Sequence, residues 1–479
     1  MNVILFNAHL LKAKINRFLF YLLYIVFVFH ISIVKSEINA YKKSVDPKEQ
    51  SSKIKIPVEI SAWMDGELSK ASRKRLLTKE QFFTRYLAKV VGYIQGYRSD
   101  LGFKTVNIDA TNVLTNDHRP LIADIDSIGR FVCSIPMNYP QKITISFDKK
   151  FMSLYLEPGQ VLALSFKWDD CVRTDAFRDV KDPANLLLFK GPLAKINYDL
   201  FSFELKTIGY THYWIKETKK PAQYLVVMDS ILRVNETLMQ QALKEGRISK
   251  KAIEIQKNES LMQNGYYLID YAIAKEEAGD QISPNYYQML HRLPLNDPSS
   301  AISSWYSAFI NRFEANPIMY KAYRNISGCK NASEIFIKIQ NNKDLQLKNE
   351  FKLSSSFAYE VTKIRRFVLD IKGLSKNEAY AYYAKMFEGI KNPFLRQEGL
   401  RVLKSNFGAE TTHVVDGKIS ISSDKPRPKW TPRLLPKTKD ADIFSKLIAP
   451  YKGKYLFVDF WGVSCGPCRW GIEEKKSDR

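Results

Sequence analysis

The sequence predicts a multidomain chain: an N-terminal β-sandwich, an α-helical middle domain and, at the C-terminus, an incomplete α/β segment. Three observations predict it. Apolar residues alternate with period two between about residues 54 and 168, helical periodicity takes over from about residue 192, and a nearly all-apolar stretch, Tyr455 to Trp461, runs into a Cys-x-x-Cys. The expected boundaries are 1–36 for a signal peptide or N-terminal anchor, 37–185 for the β-sandwich, 186–415 for the helical domain, 416–436 for a proline-rich linker and 437–479 for the incomplete α/β domain.

Lys12, Lys14 and Arg17 precede an apolar run from Phe18 to Val34, and polar sequence returns at Lys35-Ser36-Glu37. A basic leader before an apolar stretch reads as a secretory signal. The exit at Ser36 is a poor small-residue cleavage site and about 17 to 25 apolar residues span a bilayer, so an uncleaved anchor is the alternative. No Cys lies near this segment, which argues against a lipoprotein anchor. Periplasm or cell envelope is the expected location.

Composition bounds the rest. The chain has 479 residues, 45% hydrophobic and 26% charged, enough for two or three domains with their own cores and too apolar for disorder. Five cysteines in so long an exported chain do not make a disulfide scaffold. Lys and Arg number 73 against 50 Asp and Glu, a net charge of +23. The basic residues are spread along the chain without a nucleic-acid-binding signature, so a lysine-rich surface is expected, with no nucleic-acid partner and membrane contact only through an uncleaved anchor.

Within the β-rich part, Phe131, Cys133 and Ile135 alternate after the turn Asp126-Ser127-Ile128-Gly129, a hairpin pattern that makes Cys133 a packed core thiol. Ile143, Ile145 and Phe147 alternate with Thr144 and Ser146. After the turn Glu157-Pro158-Gly159-Gln160, Leu162, Leu164, Phe166 and Trp168 form another stripe. Beyond Pro221, Met228, Ile231, Leu232, Leu238, Met239 and Ala242 line one side of a helix whose other side carries Asp229, Arg233 and Glu236. Ser375 and Glu378 form a capping box opening a helix that Asn392-Pro393 is expected to end. Pro426, Pro428, Pro432 and Pro436, interleaved with Lys425, Arg427, Lys429 and Arg433, predict an extended tether.

The chemistry sits in Val458-Asp459-Phe460-Trp461-Gly462-Val463-Ser464-Cys465-Gly466-Pro467-Cys468. Two intervening residues place Cys465 at a helix N-terminus and Cys468 one turn inside, within bonding distance of each other. The unpaired N–H groups and helix dipole at that end favour the Cys465 thiolate. Cys468 then resolves the mixed disulfide. Asp459 interrupts an apolar strand, where a carboxylate is costly unless paired or useful; it is read as a proton acceptor for Cys468 or as a strand-end acid reaching water. A structural zinc site would need four ligands, whereas Cys133, Cys171 and Cys329 stand alone and His118, His212, His291 and His413 are isolated. No metal or cofactor is expected. No phosphate-binding Gly loop, His-Glu-x-x-His or Gly-x-Ser-x-Gly competes.

These residues resemble the thioredoxin superfamily, whose signature is Val-Asp-Phe-Trp followed by Cys-Gly-Pro-Cys. The stretch from Ile443-Phe444-Ser445-Lys446-Leu447-Ile448 through Lys452-Gly453-Lys454-Tyr455 to Gly471-Ile472 is more similar to exported TlpA-type thiol-disulfide oxidoreductases. Leu156-Glu157-Pro158-Gly159 also resembles the β domain that precedes the redox domain in some of them. The resemblance implies reduction of protein disulfides, with Cys465 as nucleophile, Cys468 as resolving thiol and Asp459 as the buried acid; the implied partners are disulfide-containing proteins and a thiol electron donor. Ser464 departs from the aromatic residue usual before the first Cys. Fourteen residues follow Cys465, so the strand with the family's cis-proline is expected to be missing, the thioredoxin-like domain to be truncated and its activity impaired. The alternative from another class is a non-enzymatic envelope binding or scaffold protein that has lost its redox domain. A peroxidase is disfavoured, because its reactive Cys needs no Cys-x-x-Cys partner.

Overall fold

The computed structural model describes residues 54–117, 120–147, 150–169, 186–208, 211–324, 326–407, 445 and 448–453. Two compact units emerge, Met1–Glu410 and Thr411–Arg479. The first combines two four-stranded sheets with a helical array; no described helix is long and apolar enough to cross a membrane. The leader, Cys171, His118, His413 and the proline-rich 416–436 segment lie outside the described residues.

The β part contains β1 (Tyr86–Gln95), β2 (Thr105–Asp109), β3 (Leu121–Asp124), β4 (Arg130–Met137), β5 (Gln141–Phe147), β6 (Lys150–Leu156), β7 (Val161–Lys167) and β8 (Leu187–Lys190). One sheet runs β4-β1-β7-β8 and the other β3-β2-β5-β6. The predicted stripes are present: Phe131, Cys133 and Ile135 alternate with exposed neighbours on β4, and Ile143, Ile145 and Phe147 are buried on β5. Both faces of β7 are buried up to Phe166. On its inner side Leu162, Leu164 and Phe166 join the common core, while on the other Val161 and Ala163 meet a helix.

That helix, α1 (Val58–Ser69), corrects the expectation of strands alone from Ile54 onward. Ile60 and Met64 pack on Val91, Tyr93, Val161 and Ala163, sealing the outer face of β1 and β7. The turn at Asp126–Gly129 closes as a hairpin turn does, with the Asp126 N–H on the Arg130 carbonyl at 2.9 Å, but the strands it joins do not pair onward. Gly129 adopts φ 92° and its N–H bonds the Asp126 carbonyl at 3.0 Å, but the turn passes the chain from β3 in one sheet to β4 in the other. The hairpin is β5–β6, closing at Phe147 opposite Lys150. β8 falls inside the segment expected to be helical. Its inward-facing Leu187 and Phe189 alternate with half-buried neighbours, and it zips antiparallel onto β7.

The helices are α2 (Ala194–Ser202), α3 (Thr211–Thr218), α4 (Pro221–Lys244), α5 (Lys250–Glu277), α6 (Tyr306–Ala315), α7 (Pro317–Tyr320), α8 (Ala332–Asn349), α9 (Phe357–Asp370), α10 (Lys376–Phe387) and α11 (Pro393–Phe407). On α4 the stripe centres on buried Met228, Met239 and Ala242, while Arg233 and Glu236 face water. One polar residue on this side, Asn235, is also buried. It bonds both the N–H and the C=O of Lys206 and the Ser260 hydroxyl, at 2.8 to 3.0 Å, so its desolvation is offset.

The capping box at Ser375 and Glu378 forms as expected. Its helix stops at Phe387, however, and Asn392-Pro393 opens the next one. The Asn392 side chain accepts from the N–H groups of Phe394 and Leu395, and Pro393 occupies the first position, where its missing donor costs nothing.

The strand and helical parts share one continuous apolar core. Phe83, just ahead of β1, stacks on Phe394 of α11 with centroids 4.3 Å apart. Beside it the fully buried Glu398 accepts from Arg85 at 2.6 Å and pairs with Arg401 at 3.0 Å.

Candidate functional site

The three predicted site residues, Asp459, Cys465 and Cys468, lie outside the described residues. Of their unit, the structure describes a single tight turn, Ala449–Tyr451, closed by Lys452 N–H to the Ala449 carbonyl at 3.3 Å. Gly453 follows with φ 82°, a left-handed conformation in which an L side chain would be strained, so this glycine sharply redirects the chain just ahead of residue 454.

The described thiols differ in kind from a reactive Cys. Cys133 sits on β4, opposite Val90, 6% exposed, and burial pushes its thiol pKa up. A thiol so placed stays protonated and packs as a small apolar group. Cys329 is half-buried and free.

A cluster of titratable side chains in the first unit surrounds Asp270 on α5. His212 and Lys216, one turn apart on α3, approach its Oδ2 at 3.3 and 3.1 Å, and Arg312 of α6 donates to Oδ1 at 2.8 Å. Behind the imidazole, the Tyr224 hydroxyl of α4 lies 2.8 Å from His212 Nδ1 and its ring stacks on Tyr271. Burial alone would raise the Asp270 pKa, but the hydrogen bonds from His212, Arg312 and Lys216 outweigh it and hold the carboxyl well below the ordinary range. Burial also drives the Tyr224 phenol well above its usual value. The tyrosine is fully buried, so its hydroxyl meets protein rather than substrate. The carboxylate therefore ties α3, α5 and α6 together, and the Tyr224–His212 bond adds α4. Because the folded pKa is depressed, its stabilisation is present above the unfolded value, about 4, and is lost as pH falls through the folded value. Asp270→Asn should lower stability at neutral pH by about 2 kcal/mol and flatten the acid limb of the stability profile below pH ~4, as read by urea titration across pH. Unchanged acid sensitivity would show that the carboxylate does not govern it.

His212 is isolated in the sequence because its partners on other helices lie 12 and 58 positions away. His291, likewise isolated in the sequence, borders an open cleft of about 770 Å³. The cleft is lined by Lys79 and Phe82 from the segment before β1, by Leu290 to Ser299 (except Arg292) from the turns between α5 and α6, and by Lys352 to Ser354 and Ser356 from the loop entering α9. Its wall is apolar: Phe82, Leu290, Leu293 and Leu295 are all buried. The His291 imidazole uses Nε2 to donate to the Phe351 carbonyl at 3.1 Å, so in the neutral ring Nδ1 is the acceptor. Lys352 holds φ 54°, a left-handed conformation rare for a residue with a side chain.

Among the described residues no group of His, Cys, Asp and Glu is arranged to hold a metal ion. A scan of protein-family models and comparisons with curated proteins and with solved structures find no match.

Proposed function

We propose that this chain is an exported thiol-disulfide oxidoreductase that reduces protein disulfides through Cys465 and Cys468, combining a β-sandwich and helical part with a thioredoxin-like redox segment. The observation that carries this reading is the sequence Val458-Asp459-Phe460-Trp461 leading into Cys465-Gly466-Pro467-Cys468, a largely apolar run followed directly by a Cys-x-x-Cys. The burial of Cys133 supports it, since that thiol is withdrawn from competing exchange.

In the proposed cycle the Cys465 thiolate attacks one sulfur of the substrate disulfide, forming a mixed disulfide and releasing a substrate thiolate. Asp459 accepts the proton of Cys468, whose thiolate displaces the second substrate sulfur and leaves Cys465 and Cys468 oxidised to a disulfide. A thiol donor returns the pair to the dithiol. Alkylation of the reduced chain at neutral pH with peptide mapping should label Cys465 first; faster labelling of Cys468 would exchange the two roles. A second reading, a non-enzymatic envelope binding or scaffold protein, is favoured by one observation, that the cleft lies in the unit without the Cys pair.

A further inference from the structure

We propose that the cleft between the segment before β1 and the loops flanking α6 and α9 binds an organic carboxylate with an apolar body. The volume, about 770 Å³, lies within the range of small-molecule sites, which combine an apolar lining with a few polar groups that orient the ligand. Phe82, Leu290, Leu293 and Leu295 supply the apolar wall.

Charge on the lining selects the sign of the ligand. Lys79 and Lys352 stand against one carboxylate, Asp297. An oxygen of that carboxylate already accepts the Ser299 N–H at 2.9 Å, capping the short helix Pro298–Ile302. Lys79 and Lys352 form no salt bridge within 4 Å among the described residues and both are exposed; Lys79 shares a through-space attraction with its exposed neighbour Glu80. The exposed lysines can close over a carboxylate whose hydrocarbon part occupies the apolar wall.

The backbone at Lys352 adds an independent observation. Lys352 lies two residues beyond Glu350, the C-cap of α8, in a left-handed conformation that favours glycine, with the Leu353 N–H bonded to the Leu347 carbonyl at 3.1 Å. A lysine there carries strain that glycine would relieve. The C-terminal end of a helix does attract a cation, but a lysine elsewhere in the last turn, such as Lys348, serves that purpose without strain. Keeping the ammonium at residue 352 places a cation on the cleft.

The proposal stands apart from the redox reading and survives the loss of Cys465. Its test is calorimetric titration of the full chain with two carboxylates, octanoate for a fatty-acid source and acetyl-Leu-Leu for a peptide C-terminus, each beside its neutral amide. At least one carboxylate should bind saturably and at least tenfold more tightly than its amide, and which one does so identifies the source. Lys79→Gln should weaken that binding severalfold, as should Lys352→Gly, which is expected to keep or raise thermal stability. If Lys352→Gly fails to fold, Lys79→Gln alone carries the test. Equal binding of acid and amide, no saturable binding of either acid, or carboxylate binding indifferent to Lys79→Gln would overturn the proposal.

Discussion

Replacing Cys468 by serine should turn the chain into a covalent trap for its substrates. The Cys465 thiolate still attacks a protein disulfide and forms the mixed disulfide, but the second displacement now lacks its neighbouring thiol and must wait for an external one. Intramolecular attack by a thiol three positions along the chain benefits from a large effective concentration, so the adduct should persist on the order of 10³-fold longer than in the native chain. Non-reducing electrophoresis of the Cys468→Ser chain mixed with a disulfide-bonded protein, followed by mapping of the linked peptide, reads this directly. The bond should run through Cys465, and Cys465→Ser should form no adduct. Adducts through Cys133 or Cys329 at comparable yield would remove the motif from the chemistry.

The largest stability effect is expected at Arg365 on α9, which is 4% exposed. Its guanidinium has no carboxylate among its hydrogen-bond partners and donates instead to neutral groups. Nε and Nη2 reach the Val113 carbonyl between β2 and β3; Nη1 reaches the Ser307 carbonyl at 3.2 Å and Asn311 Oδ1 at 2.9 Å on α6; and Nη2 also reaches the Ser307 hydroxyl at 3.0 Å. Burial depresses the guanidinium pKa from its usual value, but an arginine stays charged. One side chain thus fastens the β2–β3 connection to two helices. Arg365→Met should cost about 3 kcal/mol, because buried carbonyls lose charge-assisted partners. Lysine should recover only part, since a single ammonium cannot span the fork. Chemical denaturation measures both, and a methionine variant as stable as the native chain would refute the brace.

The parts of this fold legible in the sequence are those written locally. The stripes of β4, β5 and β7 and the Ser375–Glu378 box depend on residues two to four positions apart, and the structure places them as their spacing predicts. The misread elements have weak local signals. Only Ile60 and Met64 of α1 are buried, too short a stripe to announce a helix, and β8 has four residues whose reason to extend is the free edge of β7. Asn392-Pro393 carries a break signal that fits the end of one helix and the start of the next equally well; Glu360 on α9 favours the start by accepting the N–H groups of Lys391 and Asn392.

Long-range constellations were illegible for a different reason. Arg365 and Val113 are separated by 252 positions, and Asp270 gathers its partners from α3 and α6, so no window of sequence contains either arrangement. The cleft is built from three loops and shares that property. The Cys pair is the opposite case, since the motif on which its proposed chemistry rests spans four consecutive residues.

The central claim is that Cys465 is an activated nucleophile, and the pH dependence of its alkylation tests it most directly. Iodoacetamide labelling of the reduced full chain, quantified separately on the peptides bearing Cys465, Cys468 and Cys133, yields a titration midpoint for each thiol. For Cys465 the midpoint should fall at least one unit below the ordinary thiol value of about 8.5, with Cys468 higher and Cys133 labelled only on unfolding. A Cys465 midpoint at or above the ordinary thiol value would contradict the account.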